Sequence, residues 1–164
     1  MTAHAHAGHD PGRSLNQLAL SATVHCLTGC AIGEVLGLVI GTALGWSDSA
    51  TIAAAIVLAF FFGYALTSLP LLRAGVSPRR VVPLAFASDT LSITTMEIVD
   101  NLIIVVIPGA MAAGLGDPLF WGSLAVALLI AGGFAFPVNR WLLSRGKGHA
   151  VVHRYHHAPD ADEV

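Results

Sequence analysis

HCLTGCAIGE, residues 25–34, places an imidazole, two thiols and a carboxyl within three helical turns, with Cys26, Cys30 and Glu34 at four-residue spacing on one face. SDTLSITTMEIVDN, residues 88–101, adds Asp89, Glu97 and Asp100. On a helix Asp89, Ser92, Met96 and Asp100 lie close to one line, and Thr90, Thr94, Glu97 and Asn101 close to the next. Thiol, thioether and imidazole are soft donors that suit Cu(I) or Zn(II), whereas carboxylates prefer harder ions. His25, Cys26, Cys30, Glu34, Met96, Glu97 and Asp100 are therefore candidate metal ligands, with Asp89 and Asn101 as accessory groups.

These polar residues sit in oily surroundings. The chain has 164 residues, 55% of them hydrophobic and 11% charged, a composition no soluble core can hide. No Lys or Arg lies between Ser14 and Leu72, and none between Val81 and Asn139. The reading is an all-α integral membrane protein with four transmembrane helices, over about 18–46, 50–72, 83–111 and 119–143. Each span exceeds the ~20 residues that cross ~30 Å of hydrocarbon. Ser47-Asp48-Ser49, Ser77-Pro78 and Asp117-Pro118 are helix-start signals in short connections, which predicts an up-down bundle.

Arg73, Arg79 and Arg80 lie between the second and third spans, Arg140, Arg145, Lys147 and Arg154 follow from the end of the fourth, and Arg13 precedes the first. Basic short loops stay in the cytoplasm, so both termini are expected there, in the bacterial inner membrane. Trp46 and Trp121 would mark the outer interface and Trp141 the inner one. No cleaved secretory signal is expected, because the first apolar stretch is too long for one. The domain division is a histidine-containing tail over 1–16, a membrane domain over 17–146, and a histidine-rich tail over 147–164.

An ionised side chain at mid-membrane costs ~2.5 kcal/mol or more, so the acidic stripe must face the bundle interior or water. With no nearby Lys or Arg a buried salt bridge is not the explanation. Protons neutralise the carboxyls, or a cation does, or the carboxyls line a wet cavity. Glu34 and Glu97 fall near the middle of their spans and could meet. Pro70, Pro83 and Pro137 fall toward the cytoplasmic ends of three spans, where bends could open a vestibule.

Gly29, Gly33, Gly37, Gly41 and Gly45 form a GxxxG ladder that lets another helix come close, within the bundle or in a second copy of the chain. Cys26 and Cys30 share one helix and are poorly placed to bond each other, so thiols are expected.

HCLTGCAIGEVLGLVIGTALGW, LPLLRAG, SDTLSITTMEIVDN, the IPGAM turn and FPVNRWLLSRGKGHAVVH together resemble the bacterial membrane family filed as domain of unknown function 4396, over about residues 22–153. The resemblance implies a small four-span membrane protein and carries no established activity. A loose association of some relatives with copper proteins leans the metal toward copper.

The tails add His4, His6 and His9 at one end and His149, His153, His156 and His157 at the other, metal-gathering groups or solvated tails. The functional expectation is a membrane protein that binds or translocates a transition metal ion, copper or zinc, with His4, His149 and His153 as accessory ligands. It is expected to be a carrier or binding protein rather than an enzyme. The alternatives are a membrane enzyme or redox protein with a carboxylate-bridged metal, or a proton-conducting or structural bundle with protonated acids. No GxxxxGK[ST] motif is present, so pumping driven by nucleotide is not expected of this chain. Expected partners are the lipid bilayer and a second copy on the glycine ridge, with no nucleic acid.

Overall fold

Ser14 starts the first helix with a capping box: its Oγ accepts from the Gln17 N–H at 3.3 Å, and its own N–H donates to Gln17 Oε1 at 2.8 Å. The helix, α1, runs Leu15–Leu44 and ends on Gly45, whose φ of 64° is left-handed and suits glycine. Ser47 Oγ accepts from the Ala50 N–H at 3.4 Å and opens α2, Asp48–Arg73. Pro78 stands in the first turn of α3, Pro78–Val106, where its missing N–H costs nothing. Asp117 caps α4, Pro118–Ser144, by accepting from the Leu119 N–H at 2.8 Å. The computed structural model describes residues 14–73 and 75–145, and among these there is no strand.

The helices match the expected spans closely except for the third, which starts earlier than expected, at Pro78 rather than about residue 83, and also ends earlier. It was expected to reach about residue 111, but α3 stops at Val106. Pro108 disfavours helical geometry at Ile107, and Gly109 at φ 81° turns the chain into a single 3-10 turn, Ala110–Ala112. At the other end of the chain, α1 absorbs residues 15 and 16 of the expected tail. His4, His149 and His153, with most of both tails, lie outside the described residues.

Three helices, Leu15–Leu44, Asp48–Arg73 and Pro118–Ser144, are long and apolar enough to cross a membrane. The third, at 29 residues, matches them in length but has a lower mean hydropathy because Asp89, Glu97 and Asp100 lie in it. Each helix packs on the next and α4 returns to α1, so short links between neighbours make an up-down bundle. Arg73, Arg79, Arg80, Arg140 and Arg145 mark one end, and Trp46, Asp48, Asp117 and Trp121 the other. These are called the basic and acidic ends below. Leu129, Val57 and Ile98 point outward, at 75%, 68% and 63% exposure, a pattern compatible with lipid contact.

The glycine ladder is consumed inside one chain. A Cβ on Gly29 would stand 2.8 Å from Gly63 Cα, and one on Gly37 would stand 2.5 Å from Ala55 Cα. Gly33 presses on the Ala59 backbone and Gly41 on Thr51 in the same way. Of the two occupants that the ladder leaves open, the bundle's own α2 fills it from Gly29 to Gly41, and Gly45 meets nothing. Gly63 also leaves a notch on its other side, into which the Ile93 side chain of α3 fits.

Candidate functional site

Between α1 and α3 the polar residues form two groups, separated by about two turns of helix. Toward the basic end, His25 Nε2 and Thr67 Oγ1 are hydrogen-bonded at 2.9 Å, joining α1 to α2. The Thr67 hydroxyl is also within hydrogen-bonding reach of the Asp89 carboxyl on α3. Ser88 Oγ donates to Asp89 Oδ1 at 2.7 Å and to the Ala85 carbonyl at 3.0 Å. Asp89 is fully buried and held by this set.

Toward the acidic end the arrangement reverses, because carboxyls meet carboxyls. Glu34 of α1 reaches Asp100 of α3, and Glu97 lies one turn inward beside the Cys30 thiol. Glu34 Oε1, Asp100 Oδ1 and both Glu97 carboxyl oxygens are buried with no hydrogen-bond partner. Asn101 Nδ2 donates to the Glu97 backbone carbonyl at 2.9 Å, and the Asn101 amide and the Cys30 thiol stand near the Glu97 carboxyl without a close bond to either of its oxygens. Two carboxyl groups in contact away from water repel unless one proton or one cation lies between them. Such a contact is the arrangement of an acid pair, and it can accept and release a positive charge.

A cavity of about 380 Å³ opens at the acidic end and reaches this pair. Glu34, Asp100 and Asn101 lie in its wall together with Asp48. Trp46, Met111 and Phe120 supply apolar wall. The bends expected at Pro70, Pro83 and Pro137 lie at the basic end, so they do not shape this cavity.

Of the candidate metal ligands, Cys26, Cys30 and Met96 share one buried cluster with Ile93, Ala59, Ala131 and Ala135, and both cysteines are free thiols. Glu34, Glu97, Asp100 and Cys30 come together; His25 turns instead to Thr67. Among the described residues no group of three or more His, Cys, Asp or Glu side chains is placed to hold a metal ion.

Two participants escaped the sequence reading. Thr67 stands at the end of a second ladder, Thr51, Ala55, Ala59, Gly63 and Thr67, whose four-residue spacing complements the glycines of α1. Asn139, in FPVNRW, donates from Nδ2 to Thr23 Oγ1 at 2.9 Å and ties α4 to α1, while Thr23 donates to the Ala19 carbonyl at 2.8 Å. A lone amide in an apolar helix was the available signal for it.

No curated protein and no solved structure matches the chain. The polar stripe of α3 and the glycine face of α1 both fall inside a stretch that does match a family, and the chain belongs to it: the family described as Domain of unknown function (DUF4396), matched over residues 15–148.

Proposed function

We propose that the chain is a four-span protein of a bacterial inner membrane that passes protons along the carboxyls of α1 and α3. One observation carries the reading: Glu34 Oε1, Asp100 Oδ1 and both Glu97 carboxyl oxygens are buried with no close hydrogen-bond partner, in helices whose Lys and Arg residues stand only at the ends. Burying acids without partners is expensive in lipid, and a fold keeps them where they pick up and hand on positive charge. The third helix spans as the other three do, with Asp89, Glu97 and Asp100 turned to the bundle interior. The basic end faces the cytoplasm, which puts both termini there and the cavity on the outer side. Protons arrive through the cavity at Glu34 and Asp100, pass to Glu97, and leave past Asp89 and His25.

The test is reconstitution into liposomes with a trapped pH-sensitive dye and a potassium-valinomycin potential. Protein-dependent proton entry is expected, and Glu34→Gln/Asp100→Asn should abolish it. Flux no faster than in protein-free liposomes, or unchanged flux in the double variant, overturns the reading.

A second reading, a transition-metal site that leans to copper, is favoured by the Cys30 thiol beside Glu97, with Cys26 and Met96 in the same buried cluster. These soft donors and one carboxylate would have to draw together around the ion. Stoichiometric copper or zinc in the purified protein, lost in Cys26→Ala/Cys30→Ala, would move the assignment from proton to metal.

A further inference from the structure

We infer that the cavity at the acidic end binds a small organic cation, a protonated amine or quaternary ammonium, with its charged group against Asp100 and Glu34 and its apolar body beside Trp46, Phe120 and Met111. The inference rests on the proton reading, since it makes the same acid pair the place where an organic cation and a proton compete. Asp100 is 3% exposed, yet it lines the cavity and its Oδ1 has no hydrogen-bond partner. Glu34 Oε1 is unpartnered beside it. The two acids thus close the inner end of the cavity, and a carboxyl pair at the floor of a largely apolar wall selects a positive charge.

The walls say which kind. At about 380 Å³ the space lies within the ~300–1,000 Å³ of small-molecule sites and holds many times the ~30 Å³ of one water. A bare or hydrated metal ion would gain nothing from Trp46, Phe120, Met111, Ile52 and Leu38, whereas an alkyl or aromatic ammonium buries its body against them. Among the lining residues there is no Lys, Arg or His, and Asp48 adds negative charge.

The exchange balances one for one. The proton held between Glu34 and Asp100 leaves to water as the ammonium enters, so the site keeps its net charge. The other ionisable groups facing the pair are Glu97 and Cys30, one turn inward, and Asp48 in the cavity wall. From α4 the wall receives Phe120, Ser123 and Leu124, none of which titrates.

The experiment is calorimetric titration of the full chain, in nanodiscs of phosphatidylglycerol, with benzyltrimethylammonium and with its neutral isostere neopentylbenzene. Repeating it in buffers of different ionisation enthalpy counts the protons released. Saturable binding of the cation alone, in the range of ~10 µM–1 mM, with close to one proton released, is the expected result. Asp100→Asn should weaken it about tenfold or more. Trp46→Ala, at a residue 44% exposed, should weaken it about threefold. Adding phosphatidylethanolamine separates the sources: competition assigns the ammonium to a lipid headgroup, and its absence to a soluble amine. No saturable binding up to ~10 mM, or equal binding of neopentylbenzene, overturns the inference. So does unchanged affinity in both variants. Proton flux in liposomes without ammonium binding would sink this inference alone, whereas binding without any flux would sink the proton reading and leave the site.

Discussion

The two seams that α1 makes are built on opposite principles. Toward α2 it presents glycines, and backbone presses on backbone from Gly29 to Gly41 with nothing polar required. Toward α3 it presents Cys30 and Glu34, and there acids face one another with oxygens unmatched. The first seam supplies the close packing that associates helices in lipid, where the hydrophobic effect does not help. The second gives some of that back, as binding sites in proteins commonly do. A membrane bundle can keep a costly polar seam when a neighbouring seam on the same helix is tight.

Substitutions on the two seams should therefore behave differently, and the largest effect belongs to the glycines. Gly33→Leu would drive a side chain into the Ala59 backbone, so a loss of more than ~3 kcal/mol and no monodisperse peak in size-exclusion chromatography are expected. A well-folded Gly33→Leu protein would break the comparison. One residue along, Glu34→Gln with Asp100→Asn should go the other way. It removes a buried acid pair and should raise stability by ~1–2 kcal/mol in detergent unfolding, in the same variant that should lose the proposed proton entry. A destabilised double variant would mean that the acids hold the fold together.

A smaller effect is expected between α1 and α4, where Asn139 and Thr23 are matched. Asn139→Ala should cost ~1 kcal/mol, because Thr23 keeps its bond to the Ala19 carbonyl. A double-mutant cycle with Thr23→Val measures the shared part. The smallest effect is at Gly133, which has open space where a Cβ would go. Gly133→Ala should stay within ~0.5 kcal/mol of the parent, which would show that α1's glycines matter for their neighbours and not for their type.

Much of this was legible before any coordinates. Segregated charges gave the helices to within a few residues, because a helix in lipid must be apolar and its ends need not be. The inward turn of Asp89, Glu97 and Asp100 followed from the cost of facing hydrocarbon. Which acid meets which partner did not follow: Glu34 with Asp100, and Glu97 with Cys30, depend on how far α3 slides along α1, and one sequence carries no record of that offset. The glycine ladder was legible as a close-packing surface but not as to its occupant, since the small residues of α2 and a second copy of the chain would look alike to it. Pro108 was visible, yet the reading of the third span ran through it to about residue 111.

The offset has a physical stop in the notch at Gly63. Ile93 drops into it, four residues after Asp89 and four before Glu97. One isoleucine seated where a methyl is missing works like a detent on a sliding rod, and a slip of one turn would carry α3 ~5.4 Å along its axis. Such a slip would part Asp89 from Thr67 and Glu97 from Cys30 in the same movement. The alignment of both polar groups thus leans on a mechanical catch that contains no polar atom, seconded between the same helices by the hydrogen bond of Tyr64 Oη with Thr90 Oγ1 at 2.9 Å.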